Sequence, residues 1–316
     1  MKLLVTGGAG YIGAVVAQQL LRDGHTVEIL DNLTTGHGDL GLPGAVWHEG
    51  DISDASEVLD PSFDGVVHLA AKSLVGESVA HPERYWHGNI VASLRLIDAM
   101  RAAGVPRMVF SSTAAVYGEP GVDKITEDVP PRPTNPYGAS KLAIDHMLTA
   151  EAHAHGLAAV SLRYFNVAGA AGALRERHDP ETHLIPNLLR VALGEVPQAN
   201  IFGTDYPTRD GTAIRDYIHV VDLADAHVRA VRSATAGKHA VYNLGTGTGT
   251  SVREIIDAVR VVTGRDVPAA ESPRRAGDPA VLVASGDRAA EELGWRPKRD
   301  IREMVADAWT ALQQFS

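Results

Sequence analysis

A short apolar run, Leu3-Leu4-Val5, ends in Thr6 and passes straight into Gly7-Gly8-Ala9-Gly10-Tyr11-Ile12-Gly13, after which Ala14–Leu21 is patterned as an amphipathic helix. Few folds accept that order. A strand, a turn of the form Gly-x-x-Gly-x-x-Gly and a helix together make a cradle for a dinucleotide. Gly7 permits a sharp turn, Gly10 lets backbone approach a pyrophosphate, and Gly13 lets helix and strand pack closely. The helix N-terminus, which Tyr11 and Ile12 open, then offers unpaired N–H groups and the positive end of its dipole to the phosphates.

The first half of the chain alternates β-like and helical runs. Strands are expected at Leu3–Thr6, Thr26–Leu30, Ala45–Glu49, Gly65–Leu69, Arg107–Ser111 and Ala159–Tyr164, with helices at Tyr11–Leu21, Pro82–Ala103 and Tyr137–His155. Such alternation predicts an α/β fold, a Rossmann-like doubly wound parallel sheet whose strand C-termini line one ligand crevice. Beyond Asn166 the pattern changes: Gly169–Asp179 and Gly203–Gly211 read as loops, His183–Leu193 and Val221–Arg232 as helices, and Ile214–Val220 and Val241–Leu244 as strands. Ser251 and Glu254 have capping-box spacing at the head of a further helix, Ser251–Thr263. The expected division is a dinucleotide-binding domain of residues 1–165 plus about 214–244, and a smaller α/β substrate domain of 166–213 and 245–316.

Charge and composition exclude several classes. The 39 acidic against 29 basic residues give a formal net charge of −10, which argues against a nucleic-acid surface. The absence of cysteine excludes disulfides, thiolate nucleophiles and Cys-based metal sites. No signal peptide or membrane span is recognisable after Met1-Lys2, so a soluble cytoplasmic enzyme without a membrane partner is expected.

Asp31, followed by Asn32, stands at the end of the second expected strand, about 20 residues after the glycine turn, where an acid accepts hydrogen bonds from an adenosine ribose. A 2′-phosphate would meet a like charge there, so NAD is favoured over NADP. Asp51 and Ile52, after the third strand, are placed to meet the adenine edge. The small residues of His68-Leu69-Ala70-Ala71 let a cofactor lie against the backbone.

Tyr137 and Lys141 are four residues apart at the head of a helix, so both side chains share one face. Free tyrosine, with a pKa of ~10, is a poor base near neutrality. A nearby ammonium and the positive nicotinamide ring of an oxidised cofactor both favour phenolate, which would make Tyr137 a general base for a sugar hydroxyl. Thr113 ends the strand that precedes them and could share the substrate proton.

Taken together these strings resemble the extended short-chain dehydrogenase/reductase superfamily and, within it, the family of UDP-glucose 4-epimerases. The likeness covers nearly the whole chain. It is carried by the glycine turn, Leu74-Val75-Gly76-Glu77-Ser78, Pro136-Tyr137-Gly138-Ala139-Ser140-Lys141, Leu162-Arg163-Tyr164-Phe165-Asn166 and, most specifically, the run from Phe202 to Val220. The resemblance implies NAD-dependent interconversion of UDP-galactose and UDP-glucose through a 4-keto sugar, a place in galactose metabolism, and a homodimer formed through the helices Pro82–Ala103 and Tyr137–His155. Tyr137 would take the proton from the sugar 4-hydroxyl, Thr113 bond the same oxygen, and Lys141 hold the nicotinamide ribose and keep Tyr137 acidic. Asn89 and Phe165 match positions near the nicotinamide, and Lys72 a position shared by cofactor and substrate. Arg215 and Arg275 would neutralise the diphosphate, Asn166 donate to a phosphate, Phe202 lie against uracil and Asp278 accept from the uridine ribose, with His183 and Leu184 completing the substrate side. Leu282 falls where relatives tune acceptance of an N-acetyl group.

Ala114-Ala115 stand where related dehydratases and decarboxylases carry the acids of their own reactions, which sets those activities aside. A UDP-glucuronate or UDP-N-acetylglucosamine 4-epimerase is the alternative enzyme. A silent NAD-dependent sensor is the alternative outside catalysis, and the presence of Thr113, Tyr137 and Lys141 speaks against it. No metal site is expected: His153 and His155 diverge on a helix, and His178 and His183 lie in a loop with no carboxylate cluster evident in the sequence.

Overall fold

The computed structural model describes residues 1–39, 41–275 and 277–314. Strands β1 (Lys2–Thr6), β2 (Thr26–Asp31), β3 (Ala45–Glu49), β4 (Gly65–His68), β5 (Arg107–Thr113) and β6 (Ala158–Tyr164) are interleaved with helices α1 (Tyr11–Arg22), α2 (Val75–Ala80), α3 (Pro82–Tyr85), α4 (Ala92–Ala103) and α5 (Pro136–His155). The second half continues with β7 (Asn166–Ala168), α6 (Leu184–Leu193), β8 (Ala199–Phe202), β9 (Ile214–Arg215), β10 (Tyr217–His219), α7 (Val220–Ser233) and β11 (His239–Leu244). It ends with β12 (Thr250–Ser251), α8 (Val252–Thr263), β13 (Ala269–Ser272), β14 (Val281–Leu282), α9 (Asp287–Glu292) and α10 (Ile301–Gln313).

Seven strands form one sheet in the order β11-β6-β5-β4-β1-β2-β3. Every neighbouring pair is parallel. The expected doubly wound sheet is therefore present. All seven C-termini fall on one edge, with the order reversing between β1 and β4, where such sheets bind ligands. Leu3, Leu4 and Val5 of β1 are fully buried because helices cover both faces. On one face Val16 and Leu20 of α1 pack with Leu223 and Val231 of α7. On the other, Leu96 and Met100 of α4 pack with Ile144 and Leu148 of α5 against Met108 and Phe110. A separate core joins α6, α8 and α10 through Leu188, Ile255, Val259, Met304, Val305 and Trp309.

Three departures from the sequence pattern have physical causes. The expected strand Ile214–Val220 is broken at Asp216, whose fully buried carboxylate accepts from Thr246 N (2.7 Å), Thr246 Oγ1 (2.8 Å), Gly247 N (2.9 Å) and Ala284 N (3.0 Å). That knot sends β9 to pair with β12 and β14 and β10 to pair with β7. The expected helix Pro82–Ala103 contains a π-helical turn at Trp86–Val91, which turns Asn89 inward. Near the C-terminus, Ala289, Leu293 and Trp295 pack into the first core rather than the third, and Trp295 Nε1 donates to Asp222 O (2.9 Å). Ser251 and Glu254 do form a reciprocal capping box on α8. Among the described residues no helix is long and apolar enough to cross a membrane.

Candidate active site

The glycine turn is shaped by contacts that tolerate no side chain. Gly7 has φ +74°, and a Cβ there would lie 2.6 Å from Ala70 N; one on Gly13 would lie 2.0 Å from Gly7 O. The close approach of Gly13 is thus to the turn itself, at Gly7 and Gly8. These contacts leave the head of α1 open at the sheet edge with no side-chain cap, as a pyrophosphate cradle requires. Asp31 braces the turn, one oxygen accepting from Ala9 N and the other from Leu33 N, both at 2.9 Å. Each oxygen keeps a further lone pair for a ribose hydroxyl. Asn32 Nδ2 donates to Asp51 Oδ2 (3.0 Å), which fastens the ends of β2 and β3 together. Burial would raise the Asp51 carboxyl, but bonds from Ser53 and Asn32 outweigh it and hold Asp51 below the usual range. Ile52 is buried beneath it. Leu69, Ala70 and Ala71 follow β4 directly beside Gly7.

Lys72 and Asn89 meet through the Lys72 backbone. Asn89 Oδ1 accepts from Lys72 N (2.8 Å), and Nδ2 donates to Lys72 O and to Ser140 Oγ, both at 3.0 Å. Both amide donors of Asn89 are committed to the protein, so it ties the segment after β4 to the helix that carries Tyr137. Phe165 is buried just past β6.

Asn135 caps α5, accepting from Gly138 N (2.9 Å), with Pro136 at the first helical position. That start places Tyr137 and Lys141 at the sheet edge beside Thr113. Thr113 donates a hydrogen bond to Tyr137, the one influence lowering a phenol that burial raises above its ordinary value. Lys141 Nζ donates to Ser111 O (2.8 Å) and lies 4.8 Å from the centre of the Phe110 ring. Burial pulls the Lys141 ammonium down to about 7, against the opposing charge of Asp145. From the sequence, the Lys141 ammonium and an oxidised nicotinamide ring are expected to favour the Tyr137 phenolate together. In the protein by itself burial dominates both groups, and the lysine amine is turned to a carbonyl.

The sequence reading missed what surrounds this pair. Asp145 and Arg163 form a buried ion pair at 2.8 Å. Arg163 also donates to Tyr117 OH (3.0 Å), which donates to Asn243 Oδ1 (2.8 Å). Asp145 stands four residues after Lys141 on α5, the spacing already used for Tyr137, so it was legible in principle. Ser111 and Tyr164 hydroxyls are also joined, and the Tyr85 ring meets Tyr137 edge-on at 6.4 Å. Neither contact leaves a local signal.

The substrate side is assembled by two small sheets. Pairing of β13 with β8 sets Ser272 opposite Phe202, and the Arg275 guanidinium lies 4.0 Å over the Phe202 ring. Pairing of β14 with β9 sets Leu282 opposite Arg215, and Arg215 is ion-paired with Asp278. Arg215 and Asp278 were expected to serve diphosphate and ribose separately; here they hold each other. Ala276, between Arg275 and Asp278, lies outside the described residues. Asn166 is exposed on β7, and its side chain bonds to Tyr217.

His183 caps α6, followed by Leu184, but its imidazole is turned away to Glu176 (2.8 Å) and Glu181 (2.9 Å). Burial opposes its charge, yet these two carboxylates outweigh it and push His183 up to about 10. The ground for setting metal aside, the lack of carboxylates near His178 and His183, does not hold in the folded chain. The same loop reaches the glycine turn, where Arg175, Arg177 and His178 line a small cavity with Gly10, Tyr11 and His37.

Comparison with known proteins agrees with this layout. Residues 3–245 match the NAD dependent epimerase/dehydratase family. The chain is 57% identical to UDP-glucose 4-epimerase of Corynebacterium glutamicum over 312 residues, covering 98% of this chain and 95% of that one. It superposes with a TM-score of 0.96 at 39% identity on a UDP-glucose 4-epimerase from Stenotrophomonas maltophila with bound NAD and formylated UDP-arabinopyranose, covering 99% and 98% of the two chains. It also superposes on UDP-glucose 4-epimerase from Brucella ovis in complex with NAD, with a TM-score of 0.93, 44% identity and coverage of 98% and 97%.

Proposed function

This chain belongs to the NAD dependent epimerase/dehydratase family, and from that membership we propose that it interconverts UDP-galactose and UDP-glucose at sugar C4 through the residues described above. The observation that carries the reading is the placement of Thr113, Tyr137 and Lys141 together at the sheet edge that holds the glycine turn, with alanines at 114 and 115. NAD supplies a hydride acceptor at C4 that later serves as donor.

Tyr137 accepts the proton of the 4-hydroxyl and returns it when the sugar is reduced on its other face. Thr113 orients that hydroxyl by sharing its oxygen. Lys141, whose ammonium has donors to spare beside the bond to Ser111 O, bonds the nicotinamide ribose and in its protonated form favours the phenolate of Tyr137. Asn89 keeps Lys72 and the head of α5 in register. The glycine turn holds the pyrophosphate, Asp31 and Asn32 the adenosine ribose, and Asp51 with Ile52 the adenine edge. Arg275 and Arg215 meet the diphosphate, since planar guanidinium forks suit phosphate oxygens. Phe202 supports uracil, Asp278 the uridine ribose, and Asn166 and Leu184 complete the wall, the His183 imidazole being turned to Glu176 and Glu181. A nucleotide anchored this way leaves the hexose free to present either face to Tyr137.

The assembly we infer is a homodimer. Of the apolar residues on the two long helices, Ile97, Leu148 and Ala152 are consumed inside, while Leu94 is 43% and Val91 40% exposed on α4 and the turn before it. A cytoplasmic location fits a chain that uses no cysteine. The test is a proton NMR time course with UDP-galactose and catalytic NAD. Growth of the UDP-glucose anomeric signal to a fixed ratio without net NADH is expected. An unchanged spectrum from folded, NAD-loaded protein would refute the reading and turn attention to UDP-glucuronate.

A further inference from the structure

Between β7 and α6 the chain carries Glu176, His178, Glu181 and His183, the pattern Glu-x-His-x-x-Glu-x-His. One ligand atom from each of the four lies within 4.8 Å of the other three. Glu176 Oε1 is 2.9 Å from His178 Nδ1 and 2.8 Å from His183 Nδ1, and Glu181 Oε1 is 2.9 Å from that same His183 nitrogen. The carboxylate side chains are only 9% and 8% exposed, while the imidazoles are 32% and 49% exposed. A surface ion pair does not need this geometry. His183 Nδ1 carries at most one proton, and two carboxylate oxygens face it at under 3 Å; Glu181 Oε1 also accepts from His183 N (2.8 Å), but a single imidazole proton cannot bond strongly to both carboxylates at once. A divalent cation can, because bonds of about 2.0–2.2 Å to nitrogen and oxygen draw four donors around one centre.

We propose that Glu176, His178, Glu181 and His183 bind one divalent transition metal of the zinc class. Two imidazole nitrogens favour such an ion over magnesium or calcium, which take all-oxygen sets. The site is structural, since all four ligands come from one loop and none reaches Tyr137. Its consequence is to fasten that loop at both ends. On one side His37 Nε2 bonds Arg177 O (3.0 Å), Arg177 pairs with Asp39 (2.8 Å), and Tyr11 OH donates to Gly169 O (2.7 Å), which ties the loop to the glycine turn. On the other, Asn187 Nδ2 donates to His183 O (2.9 Å) at the head of α6. A cavity of about 260 Å³, lined by Glu176, His178, Glu181, Pro186 and Leu189 among others, gives an entry path.

The test uses the full chain, stripped with chelator and then titrated with zinc chloride alone. Metal content after gel filtration is expected to reach one zinc per chain, with a Kd below about 1 µM in a chelator competition. Zinc at a hundredfold excess over Kd should raise Tm by about 3 °C or more. His178→Ala and Glu181→Gln should each weaken binding at least about tenfold, as loss of a ligand demands. The helix pair His153→Ala/His155→Ala should bind as the unaltered chain does. Near-ultraviolet circular dichroism establishes that each variant is folded before titration. No stoichiometric uptake, or uptake that survives His178→Ala/Glu181→Gln and disappears with the helix pair, would overturn the site and leave an ion-pair cluster.

Discussion

The two ends of the crevice are made of opposite materials. At the reacting end Thr113, Lys141, Asp145 and Asn89 are all buried, with Asn89 bonded to Ser140 and Lys72 and Asp145 paired with Arg163 through one carboxylate oxygen. At the end proposed for the nucleotide Asp278 is 30% exposed on its ion pair with Arg215, and the Arg275 guanidinium rests on the face of Phe202. The contrast follows from what each end has to do. Proton transfer from a sugar hydroxyl to a phenolate demands fixed geometry and few competing waters, and burial supplies both. A doubly charged nucleotide has to enter and leave, and in the proposed reading the Arg215 guanidinium exchanges the Asp278 carboxylate for phosphate. Substitutions should therefore act on kcat at the first end and on KM at the second.

The largest effect should come from Tyr137→Phe. General acid–base groups contribute about 10²–10⁴ in rate, so kcat should fall by about 10³ or more in the NMR assay. The hydroxyl lost has Thr113 as its hydrogen-bond neighbour and the ring is kept, so Tm should stay within about 1 °C of the parent. A variant retaining a tenth of the activity would break the assignment of the base.

Lys141→Met sharpens the comparison because it should slow catalysis while helping stability. The native ammonium titrates near 7 instead of 10.5, so between those values the unfolded chain holds the proton that the folded chain has lost. Stability of the parent therefore rises with pH across that window, and burial of the charge costs most at pH 7 and below. The variant should gain about 2–6 °C in Tm at pH 6.5, and the gain should shrink steadily towards pH 9.5 in differential scanning fluorimetry. A constant gain at all pH values would mean that packing, rather than charge, sets the difference.

The same division explains what could be read in advance. The glycine turn, Asp31 and the Tyr137–Lys141 spacing are local patterns, and the folded chain places each at the sheet edge. The break at Asp216 was hidden because its four partners come from residues 246, 247 and 284, far along the chain. Asn89 turns inward through a π-helical turn that no apolar period announces. The Glu176–His183 cluster was visible as residue types, but helix rules of spacing do not apply to a loop that folds back on itself. Arg215 and Asp278 were both found, whereas their bond to each other depends on the pairing of two-residue strands.

At the nucleotide end the first probe is Arg275→Ala. It removes a guanidinium that rests on Phe202, and a charged hydrogen bond is worth about 1.5–3 kcal/mol. KM for UDP-galactose should rise about 10–100-fold with kcat within about threefold of the parent. Isothermal titration with UDP alone should show the same factor. A fall in kcat with KM unchanged would place Arg275 with the reacting groups and erase the distinction between the two ends.

The smallest effect tests the seam between them. Leu282 lies opposite Arg215 on β14 and is half-buried against the cluster of Ala114, Val116, Tyr117 and Phe165, so its side chain bridges the dry end and the solvated one. Truncation to alanine frees the volume of a few methyl groups without touching a charge. One methylene of pocket space changes discrimination by about 1–3 kcal/mol, or 10–200-fold, when the site is rigid. For a partly exposed position the lower limit applies. Leu282→Ala should therefore raise kcat/KM for UDP-N-acetylglucosamine relative to UDP-glucose by about tenfold, measured by competition in one NMR tube. The gain should appear in the sugar ratio alone, because UDP is held by other residues and its affinity by titration should stay within about twofold. If affinity for UDP moves as well, the seam is part of the nucleotide site, and choice of sugar is made nearer Tyr137.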